Sequence, residues 1–233
     1  MGNIQKISQS QSSDEEERRF RSAQQSERMD IWSRHHGFGK RHMRKMIDCV
    51  GYPEWVSAYD KAKEQIGSGG TVCLIGPRGT GKTQLAFHLV RNFFSKNDSS
   101  ESAWRSNSVS SAAYWTALDF FMIVKETYGN NDISEVGVVK DLSNMPILVI
   151  DEIQVRSETA WENSMLTHLI DRRYRNMKDT ILISNQTNQA FVEGVGPSIA
   201  DRIRETGGII EMKWASIRQC RQEYPRNTEV GNE

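Results

Sequence analysis

No run of apolar residues in this chain approaches the roughly 18 to 20 that a bilayer span requires, and the N-terminus is polar where a secretory leader would be hydrophobic. Both absences point to a soluble, cytoplasmic protein with no membrane partner. Met1-Gly2 opens the chain, but Lys6 stands where a myristoylation signal requires Ser or Thr, which excludes that lipid anchor. Cysteine is scarce. Cys49, Cys73 and Cys220 form an odd set without C-x-x-C spacing, which excludes a disulfide framework and a zinc ribbon, and His35, His36 and His42 beside Cys49 fit no standard zinc spacing. Net charge is lacking as well: 30 basic residues balance 30 acidic ones. Strong non-specific nucleic-acid binding by the whole molecule is therefore excluded, since that affinity comes from neutralising phosphates, and any DNA contact must be local.

What is present is enough for one good core. At 233 residues and 37% hydrophobic composition, the chain fits a single domain with appendages. Residues 1–52 read as a flexible N-terminal arm and a possible partner-binding segment. The first thirty are rich in Ser, Gln, Glu and Arg and too poor in apolar side chains to offset the entropy of folding alone. From Ile31 to Ile47 no acidic residue occurs, while Arg34, Lys40, Arg41, Arg44 and Lys45 accumulate. Residues 53–219 read as the folded domain and 220–233 as a polar tail.

Within the domain, short apolar runs alternate with helical periodicity. Thr71 to Ile75 is a buried strand that stops at a glycine-rich turn, followed by a helix with Leu85, Leu89 and Phe93 on one face. Eight serines between Ser95 and Ser111 break the periodicity and predict a mobile surface loop, in which Trp104 alone could dock. Ala113 to Ala117 predicts a second strand, Leu118 to Tyr128 a helix, and Pro146 to Ile150 a third strand. A helical stripe of Trp161, Met165, Leu166, Leu169, Ile170 and Tyr174 follows, then strands over Thr180 to Ser184 and Gly208 to Trp214. Strands alternating with helices imply an α/β fold with a parallel sheet covered on both faces, a three-layer domain.

The chemistry concentrates at two strand ends. Gly76-Pro77-Arg78-Gly79-Thr80-Gly81-Lys82-Thr83 satisfies G-x-x-x-x-G-K-[ST] between a predicted strand and a predicted helix, the context in which that pattern cradles phosphates. Glycines let backbone N–H groups close around an anion at a helix N-terminus, Lys82 reaches the terminal phosphates of ATP, and the Thr83 hydroxyl ligates Mg²⁺. Asp151 ends an uninterrupted apolar strand, so its carboxylate projects from the same sheet edge toward Mg²⁺. Glu152 is placed to orient and deprotonate the attacking water. Capping of the next helix is the plain alternative for this acidic pair, and the uninterrupted Pro146 to Ile150 strand ahead of it makes capping alone the weaker account. Asn185, after Ile181-Leu182-Ile183-Ser184, stands at that edge too, either fixing the water or a γ-phosphate oxygen, or serving as ordinary turn chemistry.

Taken together these stretches resemble the AAA+ helicase loaders of the DnaC type and the related IstB transposition helpers. The resemblance runs from about Gly70 to Arg218. It includes the P-loop, Asp141-Leu142-Ser143-Asn144 leading into Leu148-Val149-Ile150-Asp151-Glu152-Ile153, Asp171-Arg172-Arg173, Ser184-Asn185, Asp201-Arg202-Ile203-Arg204 and Trp214-Ala215-Ser216-Ile217-Arg218. It implies a P-loop AAA+ domain of the ASCE class that hydrolyses ATP as a switch, forms an ATP-dependent homo-oligomer, and loads a replicative ring helicase onto single-stranded DNA. It also implies that Arg202 is a finger reaching a neighbouring subunit's ATP and that Arg218 is a second sensor within its own subunit. Arg172, Arg173 and Arg175 match the place where such proteins present basic side chains to single-stranded DNA, and equally suit the exposed face of an amphipathic helix. Nothing before about Tyr52 matches the helicase-gripping segment of the family, and the few residues after Arg218 do not suffice for a large C-terminal lid. The rival readings are an IstB-like ATPase assisting a transposase, a non-hydrolysing ATP-binding adaptor, and a small-molecule kinase. Glu152 speaks against the adaptor, and the Asp-Glu pair with Arg202 gives a kinase no acceptor pocket or lid.

Overall fold

The computed structural model describes residues 37–39, 42, 52–97, 112–127 and 135–217, with the side chains of 95–97 and 112 left aside. The acidic and serine-rich start of the arm, most of the basic segment, Trp104 with its serine-rich surroundings, and the polar tail lie outside the described residues. So does Arg218.

Helix α1 (Pro53–Gln65) begins with proline in its first turn, where a missing N–H costs nothing. Strand β1 (Thr71–Ile75) leads into α2 (Lys82–Asn97). Then come β2 (Ala112–Thr116), α3 (Ala117–Glu126), α4 (Glu135–Asn144), β3 (Ile147–Asp151), α5 (Ala160–Arg175) and β4 (Asp179–Ser184). Helices α6 (Asn188–Val195) and α7 (Pro197–Thr206) and strand β5 (Gly208–Glu211) follow. Thr116, Thr159 and Thr187 cap α3, α5 and α6 by accepting from the amides of Asp119, Glu162 and Ala190, so three helix starts are set by local hydroxyls.

All five strands are parallel, in the order β2-β3-β4-β1-β5. Strand residues alternate between two cores, as the pleat demands. Val72, Leu74, Ile147, Val149, Ile181 and Ile183 face α1 and α2, whose Trp55, Tyr59, Leu85, Phe87 and Leu89 complete that layer. Cys73, Ile75, Leu148, Ile150 and Leu182 face α3 to α7, including Phe120, Leu166, Leu169, Phe191 and Ile203. This is the expected three-layer α/β domain. No helix among the described residues is long and apolar enough to cross a membrane.

Two boundaries differ from expectation. β5 stops at Glu211, three residues short of Trp214: the Met212 amide still donates to Ile75 O at 2.8 Å, but Trp214 turns its indole toward the glycine-rich loop, which ends the ladder. Part of the segment assigned to the arm belongs to the core, because Phe38 is 3% exposed and packs on Phe87 and Tyr114.

Candidate nucleotide site

The buried residues of β1 deliver the chain to Gly76, Gly79 and Gly81, whose φ values of 133°, 87° and 89° lie where a side chain is strained. The loop they form ends at the N-terminus of α2, whose first turn carries no acidic residue to oppose an anion. Lys82 is 5% exposed and donates from Nζ to Gly76 O and Pro77 O, both at 2.7 Å, while Thr80 Oγ1 donates to Pro77 O at 3.1 Å. A buried ammonium, loop glycines and a helix N-terminus in one place form a cradle suited to a polyphosphate.

Two strands away, Asp151 sits at the tip of β3 with 5% exposure. Its Oδ2 accepts from the Thr83 hydroxyl at 2.7 Å and from the Tyr114 phenol at 2.9 Å, and its Oδ1 accepts from the Glu152 amide at 2.7 Å. Burial first, and the Asp151 charge second, push the Tyr114 phenol well above its ordinary range, so it stays a proton donor. Thr83 and Asp151 thus meet across the sheet edge. They suit Mg²⁺, which takes one or two protein oxygens and completes its octahedron with phosphate oxygens and water. No cluster of three or more His, Cys, Asp or Glu side chains among the described residues competes as a metal site.

Glu152 adopts φ 53°, an uncommon backbone state for a residue with a side chain. Its carboxylate makes no hydrogen bond or ion pair among the described residues. Gln154 then reaches sideways: its Oε1 accepts from Ser184 Oγ at 3.0 Å and from the Asn185 amide at 3.1 Å. The tip of β4 is thereby tied to the loop after β3. Since β4 lies between β1 and β3, Asn185 stands between the phosphate cradle and the acidic pair. Sequence reading missed Tyr114 and Gln154. Tyr114 lies in a predicted strand two residues before the end that pairs with Asp151, and that register was its only signal.

The arginines separate. Arg202, on α7, is ion-paired with Asp171, donates from Nη1 to Ser198 O at 2.7 Å and to Ser198 Oγ at 2.6 Å, and lies over the Tyr174 ring at 5.3 Å. Tyr174 in turn donates to Glu205 Oε2 at 2.8 Å. A groove of about 550 Å³ adjoins this ion pair and is lined by Asp171, His168, Gly196 and Ser198 among others. Arg173 contradicts its assignment to DNA. It is fully buried, with Nε donating to Thr180 Oγ1 at 2.9 Å and Nη1 to Leu142 O at 2.5 Å and Met145 O at 2.9 Å. The reason is helical phase: Leu166, Leu169 or Ile170, and Arg173 share one stripe of α5, and that stripe faces the sheet. Arg172 is half-buried and Arg175 exposed, its Nε donating to Asp171 O at 3.4 Å.

Residues 71–210 match the family model described as AAA domain (dynein-related subfamily). The replicative helicase loader DnaC of Escherichia coli K12 is 26% identical over 177 residues, 74% of this chain and 66% of that protein. The same loader of Buchnera aphidicola subsp. Baizongia pistaciae is 28% identical over 146 residues, 62% of this chain and 54% of that protein. The chain thus spans just under two thirds of the length of the E. coli relative. A crystal structure of the DnaC helicase loader superposes with a TM-score of 0.55 at 16% identity, covering 74% of this chain and 99% of that one. AMPPCP-bound DnaA from Aquifex aeolicus gives 0.55 at 20% identity, with 76% and 54% covered. At these identities the solved structures speak to the fold alone.

Proposed function

The chain belongs to the AAA domain family, in its DnaC-type AAA+ branch, and from that premise we propose that it is an ATP-hydrolysing replication factor that loads a ring helicase onto single-stranded DNA. The observation that carries the hydrolytic part is the meeting of Thr83, at the start of the phosphate-binding helix, with Asp151 at 2.7 Å, next to a Glu152 carboxylate engaged by no described residue.

Bound Mg-ATP supplies a γ-phosphoryl group open to in-line attack by water, with its charge spread over the equatorial oxygens. Lys82 exchanges Gly76 O and Pro77 O for the terminal phosphate oxygens. Thr83 and Asp151 would hold Mg²⁺, which would neutralise charge on the phosphates, and the Tyr114 phenol fixes the Asp151 carboxylate by its hydrogen bond. Glu152 accepts a proton from the attacking water, which is general-base work within reach of an unengaged carboxylate. Asn185, braced by Gln154, orients that water or a γ-phosphate oxygen. Arg202 acts from a neighbouring subunit, leaving Asp171 and Ser198 to do so, and Arg218 acts within its own subunit. Closure of subunits around Arg202 promotes contact with single-stranded DNA through Arg172 and Arg175, and hydrolysis releases it.

Steady-state ATP turnover with and without single-stranded DNA tests the reading, together with a mixing experiment. Arg202→Ala is expected to bind ATP normally and hydrolyse it poorly, since a finger contributes roughly a thousandfold or more in rate. Mixed with Lys82→Ala, which keeps its finger, it regains activity at hybrid interfaces. Mixtures that assemble with ATP yet stay inactive, while wild-type assemblies turn over, would remove Arg202 from the shared site. Capture of a transposase instead of a ring helicase from the native host would reassign the client.

A further inference from the structure

We propose that Trp214 and Trp55 are positioning residues that hold the phosphate-binding loop in its anion-receiving form, so that the segment after β5 helps set polyphosphate affinity. The inference rests on the nucleotide-binding reading of that loop and adds two residues to it.

Three consecutive loop carbonyls accept hydrogen bonds from outside the loop. Gly79 O accepts from the Ile217 amide at 2.9 Å, Thr80 O from Trp214 Nε1 at 3.0 Å, and Gly81 O from Trp55 Nε1 at 3.3 Å. In a trans peptide, the N–H of the next residue points opposite to the carbonyl. Drawing the Gly79 and Thr80 carbonyls outward therefore turns the amides of Thr80 and Gly81 the other way, into the loop, while Trp55 adds to the first helical bond that Gly81 O already accepts from the Leu85 amide at 2.8 Å. Thr80 and Gly81 donate no backbone hydrogen bond among the described residues. Inward amides are what a phosphate chain needs from such a nest.

The donors come from opposite ends of the domain. Trp55 is on α1 and is fully buried, stacked on Tyr59 at 5.9 Å, while Trp214 follows β5 and is half-buried. Both lie outside residues 71–210, the span of the family match. Contact is close enough to restrict the glycines. A Cβ on Gly79 would collide with Ser216, and one on Gly81 would come within 2.8 Å of Trp55 Nε1. An indole suits this task because it is a donor only, carried on a rigid apolar plate. Displacing the 212–217 segment would remove two of the three outside donors together.

The test is Trp214→Phe in the full chain, which keeps an aromatic ring and removes the N–H, with Trp55→Phe beside it. Titration calorimetry in Mg²⁺ measures affinity for ADP and for inorganic pyrophosphate. Loss of one hydrogen bond that orders the loop is expected to weaken both ligands by a similar factor, roughly three- to tenfold. The melting temperature of the unliganded protein stays unchanged for Trp214→Phe. Unchanged affinity for both ligands would overturn the proposal. Weaker ADP with unchanged pyrophosphate would overturn it in favour of base recognition, and a melting temperature that falls with the affinity would reduce Trp214 to packing. Trp55→Phe alters the deep core, so the half-buried Trp214 decides the matter if that variant does not fold. Wild-type protein that binds neither ligand would defeat the nucleotide reading itself, an outcome distinct from wild-type binding unaffected by the substitutions.

Discussion

The two ends of the central strands hold polar networks of opposite character. At the N-terminal end of β4, Asp179 Oδ1 accepts from the amides of Gly67, Gly69 and Gly70 at 3.0, 3.1 and 2.9 Å. Arg173 beneath it donates to Thr180 Oγ1, to the carbonyls of Leu142 and Met145, and to Asp179 O. Burial pushes the Arg173 guanidinium down to about 9 and the Asp179 carboxyl up, the latter against the three amides and the nearby guanidinium. Each is held in place by the partners that surround it. At the C-terminal end, Asp151 is also bonded, but Lys82 and Thr83 engage groups they can exchange, and the Glu152 carboxylate engages none of the described residues. The first network is closed and braces the fold. The second leaves its strongest groups exchangeable, as a site that handles a ligand must.

That contrast breaks most visibly at Arg173. Arg173→Ala strips one cation from four acceptors, and loss of one partner in a buried network costs about 3–5 kcal/mol. Denaturant unfolding is expected to show a loss of that size, with DNA binding per folded molecule unaffected. A variant of native stability with weaker DNA binding would restore Arg173 to the surface role. On the opposite edge, Lys82→Ala is expected to cost less stability than Arg173→Ala, since it leaves two loop carbonyls without their donor where Arg173 leaves four acceptors, and to lower ATP affinity by roughly a hundredfold through loss of the chief cation on the terminal phosphates. Fluorescent-nucleotide titration reads this, and unchanged affinity would remove the loop from the site. Tyr114→Phe sharpens the comparison at its finest point. Removal of one donor from Asp151 is expected to weaken Mg²⁺-dependent nucleotide binding by roughly three- to tenfold, while binding measured without Mg²⁺ changes little. An equal loss with and without the metal would make Tyr114 a packing residue.

How far the molecule was legible from its residues follows the same division. The loop from Gly76 to Thr83 and the Asp151-Glu152 pair are contiguous in sequence, each set off by a buried strand, so periodicity and spacing locate them. Tyr114, Gln154 and Trp214 act through contacts made across 37, 31 and 134 positions, which no local pattern encodes. Helices α1, α4, α6 and α7 escaped notice because their apolar faces are short and interrupted; α6 and α7 are separated only by Gly196. Arg173 was open to a better reading. Its spacing from Leu166 and Leu169 or Ile170 places it on the apolar stripe of α5, yet an arginine inside a cluster of arginines suggests a surface until its acceptors are seen. Phe38 shows the converse, an aromatic in a basic and polar stretch that the core of the domain takes in.

The proposal that this site hydrolyses ATP turns on one carboxylate. In Glu152→Gln the amide keeps the shape of the side chain but does not accept the water's proton. Measured side by side, ATP affinity and phosphate release under saturating ATP, with single-stranded DNA and a ring helicase present, separate binding from chemistry. The expected result is parental ATP affinity with phosphate release reduced by roughly a hundredfold or more, the range of general-base contributions. Phosphate release at the parental rate would contradict the account and leave Glu152 as a cap on the loop that follows β3.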